Sequence, residues 1–134
     1  MLHKLIFIED DAATLEAASS FLRRRKYYVV TFCGGAAAIG ALQSDQEIGL
    51  VVTDLRMPSP DGFDIIRAAG DLSRSNGRAL PVIVLTGHAT PEDEQKAIAL
   101  GARCVLRKPI DLRQLMAEID GIFEPSRRPD TLDS

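Results

Sequence analysis

Cysteine is scarce in this chain: 134 residues carry only Cys33 and Cys104. They lie far apart and in no CxxC or Cys/His spacing, so neither a zinc site nor a disulfide framework is indicated. Buried free thiols in a reducing compartment are the expectation. Histidine is equally sparse. His3 sits near the terminus, where exposure is expected, and His88 has no partner close in sequence to argue for a transition metal. Long apolar runs are missing too. The first, Leu5 to Ile8, is far shorter than the core of a secretory signal and runs straight into Glu9-Asp10-Asp11. Nothing approaches the ~20 residues of a membrane span, so no membrane association and a cytoplasmic location are expected. A net charge of −3 gives no general attraction to nucleic acid or anionic lipid. Arg23-Arg24-Arg25-Lys26 is a local exception. At a helix carboxyl end it is read as complementing the macrodipole, so no direct nucleic-acid binding is expected.

What is present is a regular alternation. The length suits one domain with its own core. Short Val/Ile/Leu-rich runs at about 4–8, 28–32, 50–54, 82–86 and 104–107 alternate with segments of helical period. Runs apolar on both faces suit a parallel sheet covered by helices on each side. Helices are expected at about 12–25, 35–43 and 63–70, the third dissolving into the polar stretch Asp71 to Arg78. Two more follow Thr90-Pro91 and Asp111, both with start signals. Asp11 and Thr90 are expected N-caps, and Asp111 to Gln114 has capping-box spacing. Five βα units with right-handed crossovers give an α/β fold, a three-layer doubly wound (βα)5 sandwich of the flavodoxin-like order 2-1-3-4-5. The domain spans 1–123, and 124–134 reads as a flexible tail or truncated linker.

Chemically distinct side chains fall at the carboxyl ends of these runs. Glu9 and Asp10 follow the first, Asp54 ends the third, Thr86 the fourth, and Lys108 follows the fifth. Open α/β sheets bind ligands along that edge, and strands 1 and 3 flank the point where strand order reverses. Three carboxylates brought together repel one another unless a cation joins them. Magnesium fits, because two carboxylates and a carbonyl such as that of Arg56 suffice beside its waters. A carboxylate also serves as a nucleophile that carries a phosphoryl group, with metal and Lys108 offsetting the developing charge.

The segment Val51-Val52-Thr53-Asp54-Leu55-Arg56-Met57-Pro58-Ser59-Pro60-Asp61-Gly62, with Glu9-Asp10-Asp11, Leu85-Thr86-Gly87 and Lys108-Pro109, resembles the response-regulator receiver family of two-component systems over residues 4–123. That resemblance implies Asp54 as the acceptor of phosphate from a histidine kinase or phosphotransfer protein. It implies Mg²⁺, with Mn²⁺ as a substitute, held by Asp10 directly, Glu9 through water, Asp54 and the Arg56 carbonyl. Thr86 and Lys108 would contact the phosphoryl oxygens, and the chain would catalyse its own phosphorylation and dephosphorylation. Arg56 and His88 stand where residues modulate the lifetime of the phosphate. A cis Lys108–Pro109 bond is implied as well. Output would pass to a protein partner or a further domain through about 91–123, or through a phosphorylation-dependent homodimer.

Two departures stand out. Val105 replaces the usual aromatic, so switching is expected to pass instead through the backbone between the fourth strand and the helix after it, near Gly87. Pro60 replaces a common methionine and should stiffen the loop. A small aspartyl phosphotransferase or phosphatase is the competing reading, although its usual second acid falls at Arg56. A flavin carrier fits poorly, because three acids would repel the flavin phosphate. A degenerate docking module is opposed by intact Asp54, Thr86 and Lys108. The chain reads as a single-domain regulator or as the amino-terminal piece of a longer one.

Overall fold

A computed structural model describes residues 3–124. Strands and helices alternate as β1 Lys4–Ile8, α1 Ala12–Arg24, β2 Tyr28–Phe32, α2 Gly35–Ser44, β3 Ile48–Asp54, α3 Gly62–Asn76, β4 Val82–Thr86, α4 Pro91–Leu100, β5 Cys104–Arg107 and α5 Leu112–Phe123. The sheet is parallel with order β2-β1-β3-β4-β5. Fold class and strand order therefore follow the expectation. Among the described residues no helix is long and apolar enough to cross a membrane.

The two-residue period of the strands divides the core. Leu5 and Phe7 join Val52, Leu85 and Leu106 on the face covered by Leu22 of α1 and Leu115 of α5. Ile6, Ile8, Val51 and Val84 turn the other way, onto Leu42 of α2, Ile65 and Ile66 of α3, and Ala97 of α4. Each fully buried Leu or Ile contributes about 1.5–3 kcal/mol relative to exposure. That burial outweighs the small helix-forming terms and fixes the sandwich.

Helix starts are mostly where side chains signal them. The Asp11 carboxylate accepts from the Ala13 N–H and the Thr14 hydroxyl, and so caps α1. Thr90 and Asp93 exchange reciprocal bonds around Pro91 at the start of α4. Asp111 caps α5 by accepting from the Arg113 and Gln114 N–H groups. The return bond that would complete a box is not formed. Arg23 and Arg24 occupy the last turn of α1, and Arg23 donates to the Val29 carbonyl at 3.0 Å. At least that part of the basic run is tied to its own fold.

Three expectations need correction. Helix α3 runs to Asn76, six residues beyond 70, because its polar residues form an exposed face rather than a loop. Arg74 pairs with Asp71 one turn earlier, and Gly77 at φ 65° ends the helix in the left-handed region that suits glycine. Next along the chain, Arg78 donates to the carbonyls of Leu42, Asp45 and Ile48 and pins the α2–β3 turn. Cys33 is exposed, since it lies just past the end of β2, and Cys104 is half-buried rather than enclosed. His3 is exposed as expected, with its ring stacked on Phe123. Residues 125–134, most of the proposed tail, lie outside the described residues.

Candidate functional site

Strand order brings the carboxyl ends of β1 and β3 side by side, with Ile8 registered against Thr53. Glu9 and Asp54, one residue further along each strand, are buried in spite of their charge, at 0% and 6% exposure. Asp10 is open to solvent. Carboxylate oxygens of Glu9, Asp10 and Asp54 all lie within 4.8 Å of one another. A fourth acid, Asp11, faces its own helix start.

Lys108 crosses to these acids from the end of β5. Its Nζ lies 2.7 Å from Glu9 Oε1 and 3.1 Å from Asp54 Oδ2. The contact with Asp54 is a hydrogen bond. The contact with Glu9 Oε1 is electrostatic, leaving that oxygen buried without an aligned donor. The other Glu9 oxygen accepts the Asp11 N–H at 3.0 Å. Burial works against the Lys108 charge, yet its attraction to the Glu9 and then the Asp54 carboxylate outweighs that and holds its pKa above the ordinary value. The ammonium is therefore a fixed positive charge. The peptide bond to Pro109 is cis, as the resemblance implied, and a second cis bond joins Ser59 to Pro60.

The backbone around Asp54 is held tightly. The Thr53 hydroxyl donates to the Asp54 carbonyl at 2.9 Å, and the Leu55 N–H donates to Leu85. Asp61 and Asp64 form a reciprocal capping box that starts α3. Gly62 is packed so closely that an added Cβ would lie 2.6 Å from the Asp54 carbonyl oxygen. The D-x-x-D spacing was a legible signal for this cap, and sequence reasoning passed over it.

Thr86 closes β4, 2% exposed, and its hydroxyl accepts the His88 N–H at 3.4 Å. Its carbonyl accepts the Lys108 N–H, so Thr86 and Lys108 are positioned together. His88 itself is exposed. The Arg56 side chain points to α4, where its guanidinium meets the Asp93 carboxylate at 2.5 Å. An apolar cleft of about 270 Å³ opens beside Lys108, lined by Thr14, Ala17, Ala18, Pro109, Ile110 and Leu112.

Among the described residues three carboxylates face one ammonium, so the acids outnumber the cation. Its donors are all oxygen, one of them buried and short of a partner, and the exposed Asp10 leaves a way in. Such a set suits a hard divalent cation such as magnesium or manganese and gives zinc no soft ligand.

The response regulator receiver domain family matches residues 5–120. A response regulator receiver protein from Pseudomonas putida is 30% identical, with a TM-score of 0.81 over 90% of this chain and 97% of that one. The chain belongs to the response regulator receiver family. The probable transcriptional regulatory protein SilR of Salmonella typhimurium is 34% identical over 87% of this chain and 49% of its own length. This chain spans about half the length, or less, of the curated relatives it matches. A chain from the Saccharomyces cerevisiae co-crystal of the histidine phosphotransfer protein Ypd1 with the receiver domain of its downstream response regulator Ssk1 has the same fold. Its TM-score is 0.81 at 23% identity, covering 90% of this chain and 88% of that one.

Proposed function

We propose that this chain accepts a phosphoryl group on Asp54 from the phosphohistidine of a kinase or phosphotransfer protein, and releases it by hydrolysis, in the cytoplasm. The observation that carries this is Lys108 Nζ bridging Glu9 and Asp54 within a buried acidic cluster. Asp10, Asp54 and the Arg56 carbonyl would hold Mg²⁺, with Glu9 acting through water. When bound, the ion neutralises charge on the transferring group.

The chain's own residues supply the rest. Asp54 attacks phosphorus with the carboxylate oxygen that Lys108 does not hold. An O–P bond forms as the donor's P–N bond breaks, and the imidazole regains its proton from solvent. Lys108 donates to one phosphoryl oxygen and the Thr86 hydroxyl to another, which lowers the cost of the charge they carry. In the return step water attacks phosphorus and frees the carboxylate. His88 and Arg56, two residues beyond Thr86 and Asp54, set how readily that water arrives. The apolar cleft beside Lys108 gives the donor protein a surface to meet. The Ssk1 receiver, solved with a phosphotransfer protein, supports that class of partner. Output passes through 91–123 to a protein partner, a further domain or a second copy.

The test is incubation with acetyl phosphate and Mg²⁺, followed by intact mass. The wild type gains one phosphoryl group, and neither Asp54→Ala nor a Mg²⁺-free sample does. Gain by Asp54→Ala would place the acceptor elsewhere.

A further inference from the structure

Helix α4 is weakly embedded. Ala97 is its only buried residue, whereas α3 buries five. Elements with few buried apolar side chains open most readily. Two ion pairs hold the first turn of α4 instead. Arg56 reaches from the loop after β3 to Asp93 at 2.5 Å, and Arg107 reaches from β5 to Glu94 at 2.6 Å. The Arg56 hydrogen bond is the foremost influence holding the Asp93 carboxyl below its usual range. Arg56 is two residues beyond Asp54, and its side chain is more than half exposed. Its guanidinium carbon also lies 5.8 Å from the centre of the Phe63 ring. Val105 offers no ring to couple Thr86 to the β5 face.

We propose that the Arg56–Asp93 ion pair is a latch that holds the start of α4 in the unphosphorylated chain. Phosphorylation of Asp54 opens it by drawing the guanidinium to the phosphoryl oxygens. The inference rests on Asp54 as the phosphoacceptor. Arginine binds phosphoryl oxygens through paired, charge-assisted bonds, and a phosphoryl group carries more charge than a carboxylate. Asp93 and the new phosphoryl group thus compete for one cation. The differential attraction shifts the population of α4 positions. No covalent change beyond the phosphorylation is required. Glu94–Arg107 keeps the helix tethered to β5 while its N-terminus is released.

Amide exchange across α4, followed by NMR, tests this together with ¹⁹F detection of bound beryllofluoride. Without ligand, Arg56→Gln and Asp93→Asn should each raise α4 exchange about threefold, the scale of one exposed ion pair. Asp93→Asn keeps an oxygen for the Thr90 N–H, so the cap survives. The double variant should go no further than either single one, because both remove the same contact. Beryllofluoride with Mg²⁺ should raise the same amides in the wild type and add nothing in Arg56→Gln. Unchanged exchange in the single variants, additive effects in the double, or a wild-type response in Arg56→Gln would overturn the latch. Absence of a bound ¹⁹F signal in the wild type would instead overturn the phosphoacceptor reading, and the coupling with it. A bound signal beside an unresponsive α4 overturns the latch alone.

Discussion

Replacing Lys108 by methionine removes the one cation that, among the described residues, faces both Glu9 and Asp54, while keeping most of the apolar stem. The side chains of those acids are 1% and 8% exposed, so little water replaces the ammonium. Taking away one partner of a buried ion pair costs about 3–5 kcal/mol. Two features place this case at the low end. Asp10 keeps the cluster open on one side, and the Asp11 N–H still donates to Glu9. A loss of about 3 kcal/mol is expected, a large share of the roughly 5–15 kcal/mol by which a domain is stable. Urea unfolding at neutral pH in EDTA measures it. Saturating Mg²⁺ should recover much of the deficit, since an ion that binds only the folded site stabilises it by mass action. A deficit below about 1 kcal/mol would refute the reasoning that Lys108 neutralises a buried cluster. A deficit indifferent to Mg²⁺ would refute the role given to the acids.

Arg78→Ala should cost about 2–3 kcal/mol in the same assay. Three carbonyls lose one charged donor; Arg78 is only half-buried, so water reaches the turn and the loss is set near the net worth of a single charged hydrogen bond, about 1.5–3 kcal/mol. Arg78→Lys should fall between, and a loss under about 0.5 kcal/mol would show that the turn holds itself. The two thiols should separate under alkylation. Burial, with Glu118 nearby, pushes Cys104 up to about 11, so at pH 8 it stays a thiol and only rising pH exposes the reactive thiolate. Cys33 is exposed and should be labelled first. Peptide mapping showing Cys104 modified as fast as Cys33 at that pH would contradict this.

The sheet was legible because its strands are apolar on both faces, a pattern that few other elements produce. The site residues were legible because strand ends are marked by polar residues, and parallel order gathers those ends. Contacts that join distant segments were not. Arg56 and Asp93 are 37 residues apart, and nothing local in either segment announces the pairing. The reach of Lys108 to Glu9 as well as Asp54 depends on how β5 sits relative to β1, which composition does not encode. The sequence expectation ends helix α3 near 70 because Asp71 to Arg78 reads as a polar stretch. Its polarity is that of a solvated face, and the true stop was Gly77. Cysteine as a residue type is usually buried, which is why burial is expected of Cys33, but its position just past the end of β2 leaves it exposed.

An apolar strand interior cannot by itself say how far a strand should slide along its neighbours, since one greasy residue replaces another at each step. In β3 the acid at the tip resolves that ambiguity. Drawing the strand back by one place would carry the Asp54 carboxylate to where Thr53 now sits, wholly enclosed between Ile8 and Val84. An unpaired charge there would be ruinously expensive. The residue read as the chemical centre is thus also the stop that sets the alignment of the middle strand, so its neutral substitutes should relax that alignment as well as silence the chemistry.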